Sequence, residues 1–171
     1  MVKKNFIRIL AIVFCTLLMA APAMAAGSWS TPVVQYAADN AGDPQRYLVI
    51  TATFTADASA ATVPDLALAA STYGYQGYSL IMLLTDPGTT APTDNYDITV
   101  DEALVAGGST VNTTDVMGGE AMNRDTATSE QAVPLVGGVY GARAIMGGLT
   151  ITVSNNSVNS ATCAVALIFK R

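Results

Sequence analysis

The chain has 171 residues, of which 51% are hydrophobic and 12% charged, with 8 basic and 13 acidic side chains and no histidine. That length is typical of about one domain, and the high apolar content excludes an intrinsically disordered chain. The acidic balance argues against a nucleic-acid-binding protein, and the lack of histidine excludes any histidine base or histidine metal ligand.

The N-terminal segment has the organisation of a secretory signal peptide. Basic residues come first, Ile9–Ala20 is an uncharged apolar run, and Ala23-Met24-Ala25 matches the A-x-A cleavage pattern. A membrane-spanning helix needs about 20 apolar residues, and this run is shorter. We therefore expect residues 1–26 to be a cleaved signal peptide and residues 27–171 to be exported, to the periplasm or the cell exterior.

Removal of this leader changes the charge and the cysteine content of the chain. Its three basic residues are Lys3, Lys4 and Arg8, so the mature chain carries 5 basic and 13 acidic side chains, a net charge of −8 (5 minus 13). Cys163 is then the only cysteine, so no disulfide forms within the chain and stability comes from a packed core. No second apolar run is long enough to span a membrane. The acidic surface disfavours anionic partners such as DNA.

Alternation of apolar and polar residues recurs after the leader and predicts β-strands. The predicted strands, in chain order, are Val33–Ala37, Tyr47–Thr55, Tyr78–Leu84, Tyr96–Asp101, Val111–Met117, Gln131–Val136, Leu149–Ser154 and Ala161–Phe169. Tyr78–Leu84 is apolar on both faces, which fits a central strand that is covered on both sides. Asp65–Ser71 fits either a short helix or a strand connector.

Turn-forming residues separate these segments. Examples are Asp86-Pro87-Gly88, Gly118-Gly119, Gly137-Gly138 and Gly147-Gly148. Short strands joined by such turns indicate an antiparallel sandwich or barrel. We predict an all-β, single-domain protein: an antiparallel β-sandwich of jelly-roll or immunoglobulin-like type.

The long polar loop Thr85–Asn95 carries the strongest candidate metal ligands. Long loops in compact domains are often functional, although a plain surface turn is the simpler interpretation. Asp86, Asp94, Asn95 and Asp97 are hard oxygen ligands of the kind that bind calcium. We predict these four residues as a calcium site, with ordinary turn formation as the alternative.

Four aromatic residues are candidate binding residues. Tyr73, Tyr75 and Tyr78 lie in one short segment, and Trp29 is the other large ring near the mature N-terminus. Such rings stack on sugars or contact partner proteins. The alternative is that they cap the sheet edge or fill the rim of the core.

The sequence predicts no catalytic site. A serine or cysteine nucleophile needs a base, and the only lysine of the mature chain is Lys170. Cys163 lies on the apolar face of its strand and is interpreted as a small core residue. A glycoside hydrolase that uses two carboxylates among Asp97, Asp101 and Glu102 is a weaker alternative.

Three segments carry a family resemblance: Tyr78–Val100, Val116–Pro134 and Leu149–Phe169. Their ordered motifs, T-D-P-G…P-T-D-N-Y-D-I-T, N-R-D-T-A and L-T-I-T-V-S-N, are similar to small proteins encoded in phage and prophage structural-gene regions. The resemblance implies an all-β particle component. This chain departs from that pattern by its export signal, which implies a related β-domain recruited for the envelope or the exterior.

These observations favour an exported, non-catalytic structural or interaction protein. It would act through its sandwich surface and its strand edges, which are natural sites for protein partners and for self-association. A carbohydrate-binding module of the cell surface is the alternative.

Overall fold

A computed structural model describes residues 26–37, 46–106 and 109–171, without the side chains of residues 105–113. The predicted signal peptide lies outside the described residues except for its last position, Ala26. Within the described ranges, no helix has the length and apolar character needed to cross a membrane.

The described part of the chain consists of thirteen strands and one short helix. The helix is α1 (Ala70–Tyr73). The strands are β1 (Ser28–Trp29), β2 (Val33–Ala37), β3 (Tyr47–Thr55), β4 (Leu66–Leu68), β5 (Ser79–Pro87), β6 (Asp97–Ala106), β7 (Ser109–Asp115), β8 (Glu130–Ala132), β9 (Leu135–Val136), β10 (Val139–Tyr140), β11 (Arg143–Ala144), β12 (Gly148–Ser154) and β13 (Thr162–Lys170).

The strands form two main sheets and a hairpin. We call the seven-stranded sheet sheet A: it runs β1-β3-β13-β5-β11, with β2 also paired to β3 and β8 to β5. Sheet B has the order β4-β12-β6-β7, and β9 and β10 form the separate hairpin. Every pairing is antiparallel. The predicted all-β, antiparallel fold is confirmed, and it is compatible with a single-domain sandwich.

The core forms from alternate residues of the long strands. On β13, Cys163, Val165, Leu167 and Phe169 are buried while the residues between them are half-buried. The same alternation appears on β3 and β12. Each fully buried large apolar side chain contributes about 1.5–3 kcal/mol, so these inner faces hold the two sheets together.

Several predicted strands have different boundaries in the structure. Tyr96–Asp101 becomes β6, which extends to Ala106, and Val111–Met117 becomes β7, which ends at Asp115. Gln131–Val136 divides into β8 and β9 around Pro134, which has no N–H to donate to a sheet. Tyr78–Leu84 becomes β5, which extends to Pro87 and contains a bulge opposite the Ile168–Phe169 step of β13. Other predicted strands, such as Val33–Ala37 and Tyr47–Thr55, coincide with β2 and β3.

The prediction that β5 is covered on both sides is wrong for one of its faces. Leu80 and Leu83 are fully buried toward the core, whereas Met82 and Leu84 on the other face are half-buried. Solvent therefore reaches the outer face of sheet A, although its side chains are apolar.

Candidate functional site

Asp97, the first residue of β6, joins three distant segments of the chain. Its Oδ1 accepts a hydrogen bond from the Asn123 backbone N–H at 2.8 Å, and its Oδ2 accepts one from Asn155 Nδ2. Beside it, the Arg124 backbone N–H donates to the Tyr96 carbonyl at 2.8 Å. Asp97 is 5% exposed, so both of its carboxylate oxygens serve protein donors within a buried junction.

This junction lies where the three segments of the family resemblance meet. The first segment supplies Asp97, the second Asn123 and the third Asn155. Asn123 and Asn155 are 26 and 58 positions from Asp97 in the sequence. Sequence reasoning missed the contact because nothing in the chain order pairs these positions. The one available signal was that each motif contains an asparagine or aspartate beside a predicted strand or polar loop.

The four predicted calcium ligands do not form one ligand set. Asp86 lies on the outer face of sheet A, where its Oδ1 accepts a hydrogen bond from Ser129 Oγ at 2.5 Å. Asp94 Oδ2 accepts from its neighbour Asn95 Nδ2 at 3.5 Å, and Asp97 belongs to the junction. Across the described ranges, no group of three or more acidic or cysteine side chains is placed to hold a metal ion.

Two further carboxylates hold loops by accepting backbone hydrogen bonds. Asp115 accepts from the N–H groups of Val100 at 3.3 Å, Met117 at 3.0 Å and Gly119 at 2.7 Å. Carboxylates that accept several backbone N–H groups are strong structural links. Asp115 therefore fixes the turn that ends β7 against β6.

Glu102 has the same role on the inner side of β6. The side chain is 6% exposed, and its Oε1 accepts from the N–H groups of Met146 at 2.6 Å and Gly147 at 2.8 Å. It thereby fixes the turn before β12.

The placement of these acids does not form a paired-carboxylate site. Asp101 and Glu102 are consecutive in β6, so their side chains lie on opposite faces of sheet B. Asp97 and Asp101 share a face but are four residues apart, about 13 Å along a strand, whereas glycosidase carboxyl groups are about 5–9.5 Å apart. Burial, and then the charges of Asp115 and Asp65, raise the pKa of Asp101 above its ordinary value.

Tyr75 is a core residue and not a surface ring. It is fully buried, and its ring stacks on Phe169 with centroids 5.2 Å apart. Its hydroxyl donates to the Leu68 carbonyl at 2.5 Å and accepts from the Leu149 N–H at 3.1 Å. Burial raises the pKa of Tyr75 to about 12. The predicted binding role of Tyr75 therefore has no surface on which to act in this fold.

The other three predicted aromatic residues also pack inward. Tyr78 is 5% exposed and lies under the Arg171 guanidinium, 5.9 Å from the ring centroid. Trp29 packs edge-on against Phe54 at 5.5 Å, and its Nε1 donates to the Pro64 carbonyl at 2.6 Å. Tyr73, at the end of α1, is half-buried and packs against the core.

The fold does not align these four rings as a flat platform. In an extended segment, residues two apart such as Tyr73 and Tyr75 would lie on the same side. Instead, α1 and the left-handed Gly74 that follows it turn the chain between them.

A cleft of about 410 Å³ opens beside Tyr78. It lies between the turn at Gln76–Gly77 and the segment Ala144–Met146, whose Met146 side chain is 76% exposed. The lining combines one aromatic ring, polar groups and apolar side chains, a composition seen in small-ligand sites. This cleft is the nearest structural counterpart of the predicted aromatic surface.

Cys163 is buried, as its strand position predicts. Its Sγ is 3.3 Å from the Tyr96 hydroxyl, and burial raises the pKa of the thiol. Close by, the buried Arg124 forms an ion pair with Glu130, Nε to Oε2 at 3.3 Å. Cys163 and Arg124 therefore belong to the interior of the sandwich.

Strand β2 is an open edge of sheet A. It pairs with β3 on one side, and among the described residues no strand pairs with its other side. Its sequence, VVQYA, has no charge and no proline, and Val33 and Tyr36 are 54% and 52% exposed. Natural edge strands are usually blocked by charges, proline or bulges; within Val33–Ala37 there is no charge and no proline, and Pro32 directly precedes the strand.

The outer face of sheet A carries a group of apolar side chains, with the polar Thr51 and Gln35 among them. The strand registers place Val33, Thr51, Ala166 and Leu84 in one row, and Gln35, Val49, Ile168 and Met82 in the next. We call the apolar members of this face the outer patch: Val33, Val49, Met82, Leu84, Ala164, Ala166 and Ile168. All are half-buried or exposed.

Opposite charges lie at the two ends of this face. Lys170 pairs with Tyr47 and Ser79 at one end, where the Arg171 N–H also donates to the Arg46 carbonyl at 3.0 Å. Asp86 pairs with Ala164 at the other end. The outer patch therefore lies between a basic end and an acidic end.

Comparison with known protein families, curated proteins and solved structures gives no match for this chain.

Proposed function

We propose that this chain is an exported, non-catalytic structural or interaction protein that acts through its sandwich surface and strand edges. The observation that carries the proposal is the edge of β2: its residues are uncharged, Val33 and Tyr36 are exposed, and no strand of the described residues pairs with its outer side. Addition of a strand to such an edge is a common mode of protein recognition and of self-association.

The hydrogen bonding of the carboxylates supports the same proposal. Asp97, Glu102 and Asp115 each accept hydrogen bonds from N–H groups of other residues, and each holds a loop. A general acid or base must reach a substrate proton, and these groups face protein donors instead. The resemblance to phage and prophage proteins implies a component of a larger particle, and the predicted leader implies export from the cytoplasm.

Association of the purified protein tests the proposal. The chain is expressed from Met1 and purified as the cell produces it, with its N-terminus defined by mass spectrometry. We expect sedimentation velocity to show species heavier than the monomer, and negative-stain microscopy to show a defined oligomer or filament. The proposal is contradicted if the protein is monomeric at every concentration and binds no partner protein.

A matched pair of variants tests whether the β2 edge forms the contact between associating chains. Tyr36→Lys places a charge on the β2 edge, which we expect to weaken edge pairing. Tyr140→Lys makes the same substitution at a side chain of similar exposure, 63% against 52%, on the hairpin β9–β10. The edge role is rejected if the two variants associate equally well.

Binding of a glycan is a second candidate function, favoured by the cleft beside Tyr78. Gln76 and Ser79 supply hydrogen-bonding groups there, and Tyr78 contributes to the lining. We expect a glycan array to give specific binding that Gln76→Ala weakens, because Gln76 is exposed and its loss leaves the core intact. Binding that Gln76→Ala leaves unchanged rejects the cleft as the glycan site.

A further inference from the structure

The outer faces of the two sheets differ in chemistry. On sheet B, Thr99, Asp101, Thr150 and Thr152 are neighbours by register, so that face is polar. On sheet A, the corresponding positions form the outer patch, with Ile168 and Val49 at its centre. An antiparallel sheet that faces water alternates apolar-in with polar-out. β3 follows that rule at Thr51, Thr53 and Thr55, whereas the outer rows of β13 and β5 carry Ala164, Ala166, Ile168, Met82 and Leu84. This part of the outer face therefore has the composition of a covered surface.

The charges at the ends of the face indicate what covers it. Lys170 and Asp86 lie on neighbouring strands at opposite ends, six residues apart along β13, or about 20 Å. A surface with a cation at one end and an anion at the other is complementary to a reversed copy of itself.

We propose that a second copy of this chain covers the outer patch, in a symmetric face-to-face dimer. The two-fold axis lies in the plane of the interface, perpendicular to the strands, and passes over the step from Ala166 to Ile168. This rotation reverses the strand direction and keeps β13 over β13. It brings Lys170 of each copy over Ala164 of the other, one strand or about 4.8 Å from Asp86. The lysine side chain spans that offset, so two ion pairs flank an apolar centre.

The size of the face fits a weak, reversible dimer. The four strands that carry the outer patch, about 4.8 Å apart, and seven residues rising about 3.3 Å each span roughly 19 Å by 23 Å. That is about 440 Å² for each copy and about 880 Å² for both, which is in the range of weak or transient interfaces. The small side chains of Ala164 and Ala166 allow the backbones of the two sheets to approach closely.

This inference deepens the proposed function by naming one partner and one surface, and it is independent of the β2 edge. Tyr36 lies on the sandwich side of β2, opposite Leu48, so Tyr36→Lys leaves the outer patch unchanged. The dimer is therefore measured both in the wild type and in the Tyr36→Lys variant.

Sedimentation equilibrium of the full chain tests the surface. We expect Ile168→Lys to raise the dimer dissociation constant at least about a hundredfold, because it buries an unpaired charge at the interface centre. Thr99→Lys is the matched control, since it places a lysine on the outer face of sheet B and should leave the dissociation constant within about twofold. Thermal unfolding by circular dichroism establishes that each variant is folded, and Met82→Glu replaces Ile168→Lys if that variant is not.

A charge reversal tests the orientation of the two copies. Lys170→Asp and Asp86→Lys each create two like-charge contacts across the axis, so we expect each to weaken the dimer about tenfold. The double variant restores opposite charges and should return to within about threefold of the wild type.

The outcomes separate this inference from the proposed function. A dimer that persists in Tyr36→Lys and dissociates in Ile168→Lys supports it. If the Tyr36→Lys variant is monomeric at all concentrations, the face-to-face dimer is overturned and association through the β2 edge remains. The dimer is also overturned, with the edge mechanism left in place, if the wild type forms an oligomer that Ile168→Lys does not affect. A wild-type chain that is monomeric, with or without its leader, overturns the dimer and the self-association on which it rests.

Discussion

Tyr75 stacks nearly parallel on Phe169, with 6° between the ring planes. Phe169 belongs to sheet A, whereas the hydroxyl of Tyr75 bonds to the backbone of Leu68 and Leu149 in sheet B. One side chain from the connecting segment therefore links both sheets of the sandwich. Packing and hydrogen bonding within the core therefore account for the tyrosine at position 75.

Removal of the Tyr75 hydroxyl tests this link. Tyr75→Phe keeps the stack but leaves a buried carbonyl and a buried N–H without partners, so we expect a loss of about 1–3 kcal/mol in the free energy of unfolding. Tyr140→Phe is the control, because its hydroxyl bonds to Glu120 in an exposed position and should matter by less than about 0.5 kcal/mol. Urea unfolding measures both, and equal effects in the two variants would contradict a special role for Tyr75.

The Asp97 junction predicts a second stability effect. Asp97→Ala removes the acceptor of Asn123 N–H and Asn155 Nδ2 in a buried position, so we expect a loss of about 1.5–3 kcal/mol in the free energy of unfolding. Asp94→Ala, at an exposed position nearby, should cost less than about 0.5 kcal/mol. A similar loss of stability in both variants would show that the hydrogen bonds of Asp97 do not have a special structural role.

Calcium provides a direct test of the predicted metal set. Because the structure does not join Asp86, Asp94, Asn95 and Asp97 into one site, we expect the melting temperature to be the same in EDTA and in millimolar calcium. Ligands that bind only the folded state raise its stability by mass action. A calcium-dependent rise that Asp94→Ala abolishes would restore the calcium hypothesis.

The raised pKa of Asp101 predicts a dependence of stability on pH. Since the folded chain disfavours the charged carboxylate, its contribution to stability is greatest below the unfolded pKa and falls as pH rises toward the folded pKa. Asp101→Asn resembles the protonated side chain. We expect the variant to be more stable than the wild type at pH 7, with the difference vanishing near pH 3.

Thermal melts across this pH range measure the effect. Asp94→Asn is the control, because it removes a charge at an exposed position and should not stabilise the protein at pH 7. A stabilisation by Asp101→Asn that is the same at both ends of the range would contradict the assignment to Asp101 ionisation.

The long strands were predictable because each alternates a buried row with a solvent-facing row. β3 and β13 have this pattern over nine residues each, and their predicted positions agree with the structure. β8, β9, β10 and β11 are two or three residues long. Segments this short carry too little periodicity to be told from turns, so their pairing depends on the tertiary structure.

The candidate site was less predictable for a related reason. The Tyr73–Tyr78 segment has a composition that fits a surface cluster and a core segment equally well. Only the contacts of Tyr75 with residues of other strands show that it belongs to the core. Likewise, Asp97 and Asn155 are adjacent in space because β6 pairs with β12, a relation that chain order does not state. The sequence shows that both faces of β5 are apolar, but its periodicity does not show which face is exposed to solvent.

Hydrogen exchange at the β2 edge tests the central claim, association through exposed sheet surfaces, most directly. The peptide that contains Val33–Ala37 is compared in dilute and in concentrated wild-type protein, with Tyr36→Lys as the reference. Association through this edge predicts that amide exchange in β2 slows as concentration rises, and that Tyr36→Lys removes the effect. Exchange in β2 that is independent of concentration and identical in the two proteins would contradict the claim that this edge binds another chain.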